Sequence, residues 1–200
     1  ALLVADLHLE KASYFARFGQ MLPRYDSRET LERVALALRE TGARRVFALG
    51  DNFHDADGAA RLEPHAAGML SALTRALDWV WIAGNHDVGD VQRPGGDWLE
   101  SLEVGGIALR HEALAGAAGH ELSGHFHPRL RVSARGRTIA RPCVVRSESR
   151  MVLPAFGALT GAMDAGDPAI LAALQPARAI DALVPAGGRM AEFPLWRAAA

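Results

Sequence analysis

The sequence predicts an α/β fold in which one domain carries two sheets. Three observations predict it. Strand-like apolar runs alternate with helical patterns through the first half. Short β segments separated by turn residues fill the second half. No linker, low-complexity stretch or fixed-period repeat divides the two. At 200 residues, half of them hydrophobic, the chain has the length of one domain and enough apolar surface for a sizeable core.

The elements follow in order. Leu2 to Ala5 reads as a buried strand that stops at Asp6. Asp26 and Glu29 have the spacing of a capping box. Behind them Leu31, Val34, Ala35 and Leu38 repeat at helical spacing, and Gly42 stands at the C-cap position. Arg45 to Leu49 is a strand ending at Gly50. Leu62 to Ala76 reads as a helix, and Trp79 to Ala83 as a third strand ending at Gly84. In the second half, Ile107 to Arg110, Glu121 to Gly124, Leu130 to Ala134, Thr138 to Val145 and Met151 to Pro154 read as antiparallel strands. Ala134 to Arg137 reads as a hairpin turn. The Ala-rich tail after Pro168 predicts a weak helix and two last strands, with no obvious chemistry.

Composition excludes several classes. Basic and acidic residues number 22 and 23, so the formal charge is −1. A strongly basic nucleic-acid binder and an acidic or disordered chain are disfavoured. A single cysteine, Cys143, allows no intrachain disulfide and no zinc-finger framework. No apolar run approaches the ~20 residues of a membrane span. The opening apolar run is too short for a signal peptide and has no basic region before it. A cytoplasmic protein is the expectation, with a few residues ahead of the first strand because the chain starts without Met. Lys11 is the only lysine, so arginine supplies nearly all the positive charge, and arginine suits phosphate contact. High-GC coding explains the same bias.

The eight histidines are not scattered. Asp6-Leu7-His8 closes the first strand, and on an extended backbone residues two apart point the same way. Gly50-Asp51-Asn52-Phe53-His54 follows the second strand, its glycine permitting a sharp turn that exposes Asp51. Gly84-Asn85-His86-Asp87 follows the third. His111 closes the strand from Ile107, and Gly124-His125-Phe126-His127 repeats the i, i+2 arrangement with two imidazoles. Divalent ions take carboxylate oxygen and neutral imidazole nitrogen. Asp6, His8, Asp51, Asn85, His111, His125 and His127 are too many for one tetrahedral ion. They suit two ions about 3.5–4 Å apart sharing a carboxylate, and Asp51, alone on its turn, is the natural bridge. Two divalent ions, two aspartates and a bridging hydroxide leave one positive charge, the complement of a phosphodiester.

In this order the motifs resemble those of the calcineurin-like metallophosphoesterases. Asp6 to Ser13, Phe18 to Pro23 and Leu153 to Ala158 further resemble the PdeM subfamily, the bacterial ligase-associated DNA damage response endonucleases. The resemblance covers residues 2–165. It implies a four-layer αββα sandwich, two mixed β-sheets flanked by helices, with the tail 166–200 completing one domain of 1–200. It also implies a first metal on Asp6, His8, Asp51 and His127, and a second on Asp51, Asn85, His111 and His125. Manganese is the preferred ion, with zinc, iron or magnesium as substitutes. His86 would be the general acid, steadied by Asp87, and His54 would stand near the substrate phosphate and favour a nuclease. Bridging hydroxide would then attack phosphorus in line while His86 protonates the leaving alkoxide. An ATP-dependent ligase, a helicase and an exonuclease are the implied functional neighbours.

Other residues have blander readings. His65 reads as surface, and His120 competes with His111 for the isolated ligand position. Glu10 and Glu112 flank ligands and could orient imidazoles. Lys11, Arg17, Arg24 and Arg129 are candidate phosphate contacts. Asp55 and Asp57 read as loop residues, and Trp79 and Trp81 as core. The near-zero net charge gives no global footprint for long DNA. A small nucleotide or pyrophosphate substrate is therefore the second enzymatic reading. A non-catalytic scaffold is the third, disfavoured because every ligand type and His86 are present.

Overall fold

The face that each strand turns to either side is set by alternation, and a sheet apolar on both faces requires a covering layer on each side. The computed structural model describes residues 1–87, 93–134 and 136–199. Its first half runs β1 (Leu2–Val4), α1 (Lys11–Ala16), α2 (Asp26–Thr41), β2 (Arg45–Leu49), α3 (Gly58–Arg61), α4 (Pro64–Ala76), β3 (Asp78–Ile82) and β4 (Asp97–Leu99). The four strands form one parallel sheet in the order β1-β2-β3-β4. On one face Val46, Ala48, Trp79 and Trp81 pack against Leu31, Val34 and Leu38 of α2 and Ala66 and Leu70 of α4. The alternate residues Phe47, Leu49, Val80 and Ile82 turn to the other face.

There they meet the second half of the chain. It continues β5 (Ser101–Val104), β6 (Ile107–Arg110), β7 (His120–Ser123), β8 (Pro128–Ala134), β9 (Arg137–Pro142), β10 (Val144–Arg146), β11 (Arg150–Val152), β12 (Met163–Asp164), α5 (Pro168–Ala173), β13 (Ala179–Ala186) and β14 (Arg189–Arg197). A mixed seven-stranded sheet has the order β14-β13-β10-β11-β7-β6-β5. Leu102, Leu109 and Leu122 from it close the inter-sheet core. Its outer face packs Val145, Val152, Ile180 and Ala182 against Ile170 of α5 and Leu174 just beyond it. The layers are thus helix, sheet, sheet, helix. A third sheet, β12-β8-β9, stands beside them.

Several expectations need correction. The capping box does not form. Tyr25 is the N-cap of α2 and makes no side-chain cap bond. Asp26 instead accepts the Ala12 N–H at 3.0 Å, and Glu29 pairs with Arg33. The helix expected over 62–76 breaks at Leu62-Glu63, because the residue before Pro64 is forced extended. Glu63 becomes the cap, accepting from the His65 and Ala66 N–H groups, each at 2.8 Å. The strand expected over 138–145 is two strands in different sheets, parted at Cys143. β8 and β9 pair as an antiparallel hairpin, while Arg135 of the expected turn lies outside the described residues. The two tail strands pair with each other, and β13 pairs with β10. Helix α1 and strands β4 and β5 are too short for a periodic signal. No helix among the described residues is long and apolar enough to cross a membrane.

Candidate metal centre

Every chemical cluster sits just past a strand end, where the backbone has left its ladder. Among the described residues, the non-glycine residues with positive φ are Asp6, His8, Glu10, Asp51, His125 and His127. Asp and His are among the side chains that tolerate this left-handed region, and such strain gathers at functional sites. The extended backbone expected for Asp6/His8 and His125/His127 is therefore wrong, since φ is 53° and 44° in the first pair and 73° and 48° in the second. Each pair still delivers both side chains to one place, from a curled loop. Neighbouring chain holds the curls. His8 N–H donates to Asp51 O at 2.9 Å, and Phe156 N–H donates to Ala5 O at 2.8 Å. Asp51 is buried, not exposed by its turn. Gly50 (φ 78°) is needed for space as well: a Cβ there would lie 2.2 Å from His111 Nδ1. At Gly84 it would lie 2.2 Å from Asp51 N.

The side chains form two groups that share Asp51. Asp6, His8, Asp51 and His127 converge in one, and Asp51, His111 and His125 in the other. In the first, His8 Nε2 lies 3.2 Å from His127 Nε2 and 3.6 Å from Asp51 Oδ2, and His127 Nε2 lies 3.6 Å from Asp6 Oδ1. In the second, His111 Nε2 lies 3.4 Å from Asp51 Oδ1, 3.0 Å from His125 Nδ1 and 2.9 Å from Asn85 Oδ1. The His111 Nδ1 lies 3.2 Å from Leu49 O, which turns Nε2 toward the Asn85 amide oxygen and an Asp51 carboxylate oxygen. Acceptors crowd together in this way around a cation, so the donor set fits a divalent metal. Burial first, then His127, Lys11, His86 and His54, push His8 down to about 2, which keeps its imidazole in the neutral, ligating form.

A third group, His8, His54 and His86, opens toward solvent. His86 is partly exposed on its turn; its N–H donates to Asp51 Oδ1 at 3.0 Å and its Nδ1–H donates to His54 O at 2.7 Å. The His54 and His86 rings stack at 5.1 Å, and His54 Nδ1 lies 3.4 Å from His8 Nδ1. Burial, then Lys11 and His86, push His54 down to about 4. Asp87 does not steady the His86 imidazole as expected. Its carboxylate accepts from the N–H groups of Asn52 and Phe53 at 3.1 Å, Gly84 at 2.9 Å and from Asn52 Nδ2 at 2.9 Å. It binds the Asp51 turn to the His86 turn. Burial pushes its own pKa up, against these N–H donors.

The remaining candidates divide. Lys11 is half-buried and close enough to His8 and His54 to depress both. Arg129 shares a cleft with His127. Arg24 lines a different cleft, with Glu10, Ser13, Asp26, Arg61 and Glu63. Arg17 is occupied by Asp55 and Asp57, at 3.3 and 3.6 Å, and Asp55 also holds Arg61, so these aspartates are not idle loop residues. Glu112 Oε1 lies 3.9 Å from His125 Nε2. Glu10 accepts from Ser27 Oγ at 2.8 Å and touches no imidazole. His65 and His120 are exposed, and His111 occupies the isolated ligand position. Trp79 and Trp81 are core residues. Reading the sequence missed Ser27 and Asp26 as anchors of the α1 loop, because their partners are distant in sequence.

The calcineurin-like phosphoesterase profile matches residues 1–135. No curated protein matches the chain. Among solved structures, a nuclease from Pseudomonas putida, MPE, superposes with a TM-score of 0.70 at 28% identity, covering 96% of this chain and 86% of that one. The phosphoesterase YfcE from E. coli aligns at 14% identity and a TM-score of 0.45, over 97% of this chain and 98% of that one. With two Asp/His groups meeting at one carboxylate and two-thirds of its length inside the family profile, this chain belongs to the calcineurin-like phosphoesterases, hydrolases of phosphoester bonds.

Proposed function

We propose that the protein is a two-metal nuclease that hydrolyses phosphodiester bonds. The carrying observation is the Asp51 carboxylate, one oxygen toward His8 and the other toward His111. In this reading Asp6, His8, Asp51 and His127 hold one ion and Asp51, Asn85, His111 and His125 hold the other, with manganese preferred. The ions, when bound, supply Lewis acidity and an activated water for in-line displacement. The chain supplies the rest. His86 stands at the mouth of the centre, and its Nδ1–H contact with the His54 carbonyl at 2.7 Å fixes the ring and leaves Nε2 free to face the substrate. Its Nε2, 3.9 Å from Asp51 Oδ2, then gives a proton to the departing alkoxide. His54, neutral, stands beside it and faces the phosphate. The nuclease named above, similar over almost the whole chain, supports a nucleic-acid substrate over a small nucleotide.

The same reading takes residues 1–200 as one catalytic domain located in the cytoplasm. A DNA-repair setting beside a ligase, a helicase and an exonuclease rests on the sequence resemblance alone. The test is hydrolysis of bis-p-nitrophenyl phosphate and opening of circular single-stranded DNA, with Mn²⁺ and with EDTA. Metal-dependent turnover of both is expected. Turnover of the small ester alone would favour the nucleotide reading. Two bound metals with no turnover would favour the scaffold.

A further inference from the structure

Near-neutral net charge is the physical difficulty for a nuclease, and two adjoining clefts answer it locally. The first, of about 230 Å³, starts at His127 and runs between Arg33, Arg129 and the segment from Pro154 to Ala162. The second, of about 210 Å³, continues along Arg129 and Arg131 and includes Asp164, the cross-strand neighbour of Arg129. Arg129 and Arg131 flank buried Leu130 on β8, so both side chains project from the same face of the strand. Both are exposed, and neither has an ion-pair partner among the described residues. Arg33 is offset by Glu29. The groove therefore begins at a metal-site histidine and leads away between cations on one wall.

We infer that this groove, with Arg129 and Arg131 as the cations of one wall, binds the sugar–phosphate backbone of a strand next to the phosphodiester being cut. The inference rests on the nuclease reading and deepens it: the substrate is a polymer, held by several phosphates. A small nucleotide fills only the metal centre and has nothing to place against Arg131. Arginine's planar fork suits these contacts, and backbone contacts carry affinity without sequence preference.

Counterion release gives a specific readout. For single strands, log Kd against log salt has a slope of about 0.7 per neutralised phosphate. The test is anisotropy binding of a fluorescein-labelled twelve-nucleotide single strand to the Mn²⁺-loaded His86→Ala chain, from 50 to 300 mM salt. Adding Arg129→Ala and Arg131→Ala is expected to flatten the slope by about 1.4 and weaken binding alike for unrelated sequences. Arg129→Lys/Arg131→Lys should keep the slope, which rules out misfolding as the cause. Arg189→Ala, on the β13–β14 hairpin, should leave it unchanged. An unaltered slope in the alanine pair, or equal flattening by Arg189→Ala, overturns the groove while leaving the nuclease reading intact. No binding by the parent at 50 mM salt overturns both.

Discussion

Replacing Asp87 separates two roles that sequence alone confuses. If its carboxylate steadied the His86 imidazole, Asp87→Asn would shift the pH–rate profile. The contacts say otherwise. Oδ2 accepts from Gly84 N–H and Asn52 Nδ2, and Oδ1 accepts from Phe53 N–H. An Asn carbonyl can take the Oδ2 position, which turns an amide NH₂ toward the Phe53 N–H. One charge-assisted hydrogen bond is lost, ~1.5–3 kcal/mol, and a buried N–H is left without an acceptor, ~1–3 kcal/mol. Asp87→Asn should therefore cost about 2.5–6 kcal/mol, and Asp87→Ala, which strips every contact, at least as much. That is a large part of a typical ~5–15 kcal/mol stability. Urea denaturation of the metal-free protein measures it. Manganese affinity should fall with it, because the Asp51 turn loses its tie, while the pH–rate profile of whatever activity remains stays in place. A moved profile with unchanged stability would refute the reasoning.

Four other outcomes follow from the same geometry. Asp51→Asn should lower bound metal from two ions to fewer than one by elemental analysis, because the carboxylate serves both groups; loss of only one ion would contradict the bridge. His86→Ala should cut turnover ~10²–10⁴-fold with both metals retained, if the ring serves as the proposed proton donor and not as a ligand; metal loss would contradict that role. Gly50→Ala should displace His111 and reduce metal occupancy, as the added methyl would overlap the ring; full occupancy with normal stability would show that the turn can shift. Acid should destabilise the metal-free protein. His8 and His54 are held at about 2 and about 4, below the ordinary 6.5, so the unfolded chain takes up protons that the folded one refuses. Stability is complete above pH 6.5 and falls as pH drops below it, by up to ~1.4 kcal/mol per pH unit for buried His8 and less for part-exposed His54. Urea midpoints in EDTA that stay level from pH 7.5 to 5 would refute this.

What the sequence revealed depended on whether the signal was local. Strands β2, β3 and β6 declared themselves as apolar runs stopped by chemistry, and Gly42 marked the end of α2. The gathering of Asp6, His8, Asp51, His111, His125 and His127 was legible because their residue types admit few other purposes in that order. Long-range partnerships were not. Nothing around Asp26 says that it will accept the Ala12 N–H rather than cap its own helix, and nothing around Asp87 says that its acceptors will serve residues 52 and 53. The break of 138–145 between sheets depends on β8 pairing with the part before Cys143 and β13 with the part after it, which no local pattern records. Short pieces such as α1 and β4 carry too few residues for any period.

The left-handed loops bear on how such a centre can change over time. Asparagine and glycine can adopt the backbone that Asp6, His8, Asp51, His125 and His127 occupy, whereas valine or isoleucine would be strained there. Substitution at these places is thereby channelled toward residues that spare the scaffold even as they remove donors. Architecture and reactivity are separable by single replacements, so a lineage could shed its ions and keep its shape for binding other molecules.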